Sequence, residues 1–193
     1  MARSFITIVS GLPRSGTSLM MQMLAAGGMP ALTDGKRTAD QHNPRGYFEL
    51  EAVKHTRDDS SWLAQARGKA VKVVHVLLPH LALDQEYRVL FMRRNPGEII
   101  ASQRVMLQQQ GRPAAALSDS KLAEIYARQL AEVDQWLARQ PTFQVLHLEH
   151  RDVIQHSLAT AQRIAQFLGG DLAPERMSSV VEPDLYRQRQ APL

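Results

Sequence analysis

The 193-residue chain has no cysteine. That excludes a disulfide framework, a thiolate metal site and a cysteine nucleophile, and it fits a reducing compartment. Long apolar runs are absent too. The longest near the start, Phe5–Val9, is far short of the ~20 residues that span a bilayer. Arg14 interrupts it too early for a signal-peptide core of ~7–15 residues. The expectation is therefore a cytoplasmic protein with no membrane span. There is no run of clustered lysine and arginine, and the net charge is only +4, which argues against a nucleic-acid partner. Internal repeats, low-complexity segments and metal-ligand spacings are also missing; His147 and His150, three residues apart at a strand end, read as incidental.

Hydrophobic residues make up 44% of the chain, enough for one sizeable core, so residues 1–193 read as a single domain. Phe5–Val9, Ala70–Val76, Arg88–Met92 and Phe143–Leu148 are short, apolar and rich in β-branched residues, the pattern of buried parallel strands. Helical patterns fall between and after them. Thr17–Ala26 is closed by Gly27 and Gly28, and Gly97–Gln110 starts beside Pro96. Lys121–Leu137 carries the stripe Leu122, Tyr126, Leu130, Val133, Leu137. Val153–Leu168 carries Ile154, Leu158, Ala161, Ala165, Leu168. Tyr47–Trp62 also reads as helical, whereas Thr33–Gly46 and the tail after Glu182 read as irregular; Trp62 and Trp136 read as core or pocket wall. Strands alternating with helices imply an α/β/α three-layer domain with a mostly parallel central sheet.

The first strand runs into Gly11-Leu-Pro-Arg-Ser-Gly-Thr-Ser18, the spacing of a phosphate-binding loop with Thr17 where lysine normally stands. Its glycines let backbone N–H groups converge on an anion at a helix N-terminus. Arg14 supplies the cation, and Thr17 and Ser18 add hydroxyl donors. The missing lysine weighs against ATP phosphoryl transfer, where it reaches the terminal phosphates. A second anion site is legible where a strand delivers Arg93 and Arg94 to its C-terminal end, with Ser102 eight residues beyond Arg94 on the next helix.

These two stretches resemble the sulfotransferases that use 3′-phosphoadenosine 5′-phosphosulfate (PAPS). In that family a P-[R/K]-S-G-T-[S/T] loop holds the 5′-phosphosulfate, and an R-N-P-x-[D/E]-x-x-x-S segment holds the 3′-phosphate. Here the first is Pro13-Arg14-Ser15-Gly16-Thr17-Ser18 and the second runs from Arg94-Asn95-Pro96-Gly97-Glu98 to Ser102. A third segment, Val145–Glu149 with Phe167-Leu168-Gly169 downstream, is similar to the family's "YEDL…FLG" stretch, with Leu148 in place of the tyrosine. The resemblance covers roughly Ile6–Gly169 and is weakest over Thr33–Gly68. The glycine- and lysine-rich loop of many cytosolic members is absent near the C-terminus, where Arg187 and Arg189 are the nearest stand-ins.

The resemblance implies PAPS as cosubstrate, no metal, and a small-molecule, glycan or lipid acceptor with a hydroxyl or amine. Arg14 would stabilise charge on the leaving phosphate. Lys72-Val-Val-His75 resembles the family's K-T-H segment and makes His75 one candidate base, but it has one extra residue. In a regular strand that spacing puts Lys72 and His75 on opposite faces. Either the strand ends before His75, or only one of the two reaches the site. Lys72, in an apolar strand, needs an anionic partner. Asp34, near Arg37 in the loop after the first helix, and Glu49 are the carboxylate candidates, as other members take their base from that loop. A kinase on the same fold and a non-catalytic nucleotide-binding module are the alternatives.

Overall fold

The computed structural model describes residues 4–36, 46–111 and 117–182. Four strands form its sheet: β1 (Ile6–Gly11), β2 (Ala70–Lys72), β3 (Tyr87–Arg93) and β4 (Phe143–Glu149). They are all parallel, in the order β2-β1-β3-β4. The helices are α1 (Thr17–Ala26), α2 (Pro96–Gln109), α3 (Asp119–Leu137), α4 (His150–Gln155), α5 (Ser157–Phe167) and α6 (Pro174–Ser179).

Strand alternation sorts the apolar residues into two cores. Val9, Leu90, Met92 and Leu148 face α1, α4, α5 and α6, where they meet Met20, Leu24, Ile164 and Met177. Ile6, Ile8, Val89, Phe91 and Phe143 face α3 and the turns after β2, where they meet Val133, Leu137 and Leu78. Each such side chain, once out of water, contributes roughly 1.5–3 kcal/mol. Both faces of the sheet are thus covered, which is why β1 is buried along its whole length.

The chain leaves β1 for β2 on one side and then crosses to β3 on the other. Ligands of open α/β sheets bind at such a switch point, outside the C-terminal ends of the strands. The Gly11–Ser18 loop lies there, and so do Arg93 and Arg94.

Three expectations need correction. Tyr47–Trp62 is not a helix. It is irregular to Leu50 and then forms two 3₁₀ turns, Glu51–His55 and Ser61–Gln65. Phe48 sits at φ 53°, outside the helical region, and Asp59 Oδ1 accepts from the Ser61 amide at 2.8 Å, starting the second turn separately. β2 ends at Lys72, short of Val76, and a 3₁₀ turn spans His75–His80. Val153–Leu168 is two helices, broken at His156 (φ −128°, ψ 46°). There Thr160 Oγ1 donates to the Asp152 carbonyl. The break rotates the apolar stripe, so Leu158 is exposed while Thr160 and Ile164 are buried. The short helix α6 carries too little periodic pattern to be read from sequence.

Candidate active site

The phosphate loop keeps its shape through two close approaches. Gly11 has φ 145°, and a Cβ there would lie 2.6 Å from both the Met92 carbonyl and Ser15 Oγ. Gly16 has φ 101°, and a Cβ there would lie 2.5 Å from His150 Cδ2. Gly16 caps α1 with no side-chain bond, so the first-turn amides are directed at the loop. Arg14 also has a left-handed backbone, φ 71°, a conformation that costs a non-glycine residue roughly 1–3 kcal/mol and is characteristic of sites whose surroundings hold it in place. Pro13 is exposed at the outer rim, Thr17 is buried at the helix start and Ser18 is half-buried. Ser15 Oγ is fully buried without a protein hydrogen-bond partner. A concave loop with an orphaned hydroxyl and a helix N-terminus fits a bound phosphate or sulfate.

The second anion site follows from local rules. Asn95 is the N-cap of α2, accepting from the Gly97 amide at 2.8 Å, and Pro96 takes the first helical position. That cap fixes where the chain turns after β3, and alternation then separates the two arginines. Arg93 turns toward α3, where its Nη2 donates to both carboxylate oxygens of Asp134 and its guanidinium lies 4.4 Å over the Phe91 ring. Arg94 turns toward the phosphate loop. Its Nε donates to Glu98 Oε2 at 2.9 Å, and its Nη1 donates to the Arg14 carbonyl at 3.1 Å. In return, Arg14 Nε donates to Ser102 Oγ at 3.0 Å. Arg94, Glu98 and Ser102 are each largely buried.

On the other side of the loop, Lys72 Nζ donates to Ser18 Oγ at 3.1 Å and to the Tyr47 carbonyl at 3.2 Å. It pairs with Glu49 Oε1 at 3.7 Å. The lysine thus has its anionic partner, and Glu49 is carried to the mouth of the phosphate loop. Asp34 is differently employed. Its Oδ1 accepts from the Lys36 amide at 3.0 Å and its Oδ2 from the Glu51 amide at 2.8 Å. These backbone bonds hold the exposed carboxyl below its usual pKa, making it a loop clasp. Arg37, Arg187 and Arg189 lie outside the described residues.

His75 departs from Lys72. The strand ends between them, and the His75 ring turns into the opposite layer, 3% exposed, with Nε2 3.1 Å from Gln129 Oε1 of α3. Burial pushes its pKa down, against smaller upward pulls from Gln129 and the Gly11 backbone. Beside it Val76, Pro79, Gln129, Val133 and Trp136 line a cavity of about 330 Å³. Trp136 is therefore a pocket wall, whereas Trp62 is core. His147 lies near Phe91 and Arg93 on the β4 edge.

His150, which reads as incidental in the sequence, packs against the phosphate loop. It opens α4 and is buried, with its ring edge against Gly16. Burial pushes its imidazole down to about 4; Arg94 adds to that and Glu98 opposes it. The only signal was its position directly after β4, at the C-terminal edge of the sheet.

The fold is a parallel α/β sheet with a phosphate-type loop at the C-terminal end of β1 and the Arg94–Ser102 segment beside it. The sulfotransferase-domain family profile matches residues 6–185, and the chain belongs to that family. Solved structures share the fold. The sulfotransferase domain of the Synechococcus PCC 7002 olefin synthase has 17% identity and TM-score 0.53, over 100% of this chain and 90% of that one. A sulfotransferase from Alicyclobacillus acidocaldarius has 16% identity and TM-score 0.53, over 96% and 89%. Retinol dehydratase in a complex with retinol and PAP has 19% identity and TM-score 0.54, over 94% and 64%.

Proposed function

We propose that this enzyme moves the sulfuryl group of PAPS onto a hydroxyl or amine of a small-molecule, glycan or lipid acceptor, and that it works in the cytoplasm. The observation that carries this reading is the interlock of Arg14, Arg94 and Ser102. It joins the β3–α2 segment directly to the phosphate loop, which supports one ligand carrying both a 3′-phosphate and a 5′-phosphosulfate. The retinol- and PAP-bound relative supports the same cosubstrate and an apolar acceptor. The cytoplasmic reading rests on the cysteine-free sequence.

In this reading the loop amides, Ser15, Thr17 and Ser18 hold the 5′-phosphosulfate, and Arg94 with Ser102 holds the 3′-phosphate. Arg14 stabilises the charge that grows on the leaving phosphate as the S–O bond breaks. Lys72, bonded to Ser18, places a second cation at the sulfuryl group. Glu49 is the base. It is the carboxylate paired with Lys72, which itself bonds Ser18 of the phosphate loop. His75 remains a second candidate because the cavity beside it can house an acceptor.

Turnover of radiolabelled PAPS across hydroxyl- and amine-bearing acceptors tests this assignment. Glu49→Gln should lower the rate by about 10²–10⁴ with PAPS affinity nearly intact, the signature of a lost general base. His75→Ala should retain most of the rate. The reverse pattern would move the base to His75 and the acceptor to the α3 cavity.

A further inference from the structure

Four residues from two distant segments cross one another at the floor of the site. Arg14 belongs to the phosphate loop, yet its Nε is anchored on Ser102 of α2. Arg94 belongs to the other anion site, yet its Nη1 is anchored on the backbone carbonyl of Arg14. Glu98, one turn into α2, fixes the Arg94 fork from behind. Each site therefore borrows its geometry from the other. The residue gripped from both ends, Arg14, is also the one with the left-handed backbone at φ 71°. Such a conformation persists only where its surroundings over-determine it, and these two bonds are part of those surroundings.

We propose that Arg94 and Ser102 are positioning residues for the phosphate loop, forming with Arg14 a reciprocal brace that couples the two anion sites. The inference rests on the sulfotransferase reading only for the identity of the anions. A ligand filling one site holds the brace and pre-forms the other, so a bisphosphate binds more tightly than its two halves imply. If Arg94 and Ser102 served a 3′-phosphate alone, a nucleotide with only a 5′-phosphate would be indifferent to them. The geometry requires the opposite. It also favours a fork at position 94, because the guanidinium serves the Glu98 carboxylate and the Arg14 carbonyl from two separate nitrogens, Nε and Nη1, held in one rigid plane.

The test compares wild type with Ser102→Ala, Ser102→Thr and Arg94→Lys in two measurements. The first is hydrogen exchange of the Gly11–Ser18 amides in the ligand-free full chain. Ser102→Ala and Arg94→Lys should speed loop exchange several-fold while β3 and β4 amides stay as in wild type. Ser102→Thr, which keeps the hydroxyl, should restore protection. The second is affinity for adenosine 5′-monophosphate, adenosine 3′-monophosphate and adenosine 3′,5′-bisphosphate. Ser102→Ala should weaken the 5′-monophosphate by about three- to tenfold, the size of one hydrogen bond, although that ligand has no 3′-phosphate. Wild-type loop exchange together with wild-type 5′-monophosphate affinity in Ser102→Ala would overturn the brace. Altered loop exchange with no binding of any adenosine nucleotide would uphold the brace and overturn the cosubstrate.

Discussion

His150 shows how much of the site rests on a single buried side chain. Its imidazole is pushed down to about 4 from the ordinary 6.5. Above pH 6.5 the folded and unfolded chains both carry it neutral, and its contribution is complete. Between 6.5 and 4 the unfolded chain takes up the proton and the folded chain does not, so stability falls as pH falls. The loss levels off below about 4 at on the order of 3 kcal/mol. His75 and His147 shift in the same direction and deepen the slope. The depressed carboxylates Asp34 and Asp59 act at lower pH, below their ordinary range. His150→Gln should therefore flatten the fall in melting temperature between pH 6.5 and 4, whatever its effect on stability at pH 7. An unchanged slope would mean that His150 is not buried under Gly16. None of this was readable in the sequence. Periodicity shows that a residue follows a strand, but not that a glycine from a loop over a hundred positions earlier rests on its ring. Asp34 was hidden for the opposite reason: its loop position is legible, but only the folded loop brings the Lys36 and Glu51 amides to both of its oxygens.

At the scale of elements, what the sequence revealed was local. Thr17–Ala26 matches α1 at both ends, because the loop glycine starts it and Gly27 and Gly28 stop it. The Asn95-Pro96 pair likewise fixes the start of α2. What stayed hidden depended on distant partners: the end of β2 before His75, the 3₁₀ turns over 51–65, and the break at His156. Helix α6 belongs to that second group. It is anchored where Met177 packs on Gly27, and a Cβ at Gly27 would lie 2.5 Å from Met177 Cγ. Gly27 has ordinary helical φ and ψ, so the constraint there is space and not backbone freedom. Gly27→Ala should cost about 1–3 kcal/mol by overpacking. The double variant Gly27→Ala/Met177→Ala should be less destabilised than the sum of the singles, since each removes part of the other's clash or contact. Chemical denaturation of the four proteins measures the coupling; strict additivity would contradict the packing of α6 on α1.

For the molecule as a whole, the two-faced parallel sheet followed from the alternation of strands and helices, and the paired motifs pointed to the family; the strand order that makes the switch point did not follow. The arrangement of those motifs did not follow. A motif gives the residues of each anion site, but not that Arg94 holds the backbone of Arg14. As proposed, the whole site takes a nucleotide phosphorylated at both the 3′ and 5′ ends, without a metal ion to bridge them. Thermal unfolding with added nucleotides tests it most directly. Adenosine 3′,5′-bisphosphate at ~100 times its Kd should stabilise the chain by roughly 2.7 kcal/mol and raise the melting temperature equally with and without Mg²⁺, while ATP has little effect. A larger stabilisation by ATP that depends on Mg²⁺ would instead mark a metal-dependent nucleotide site.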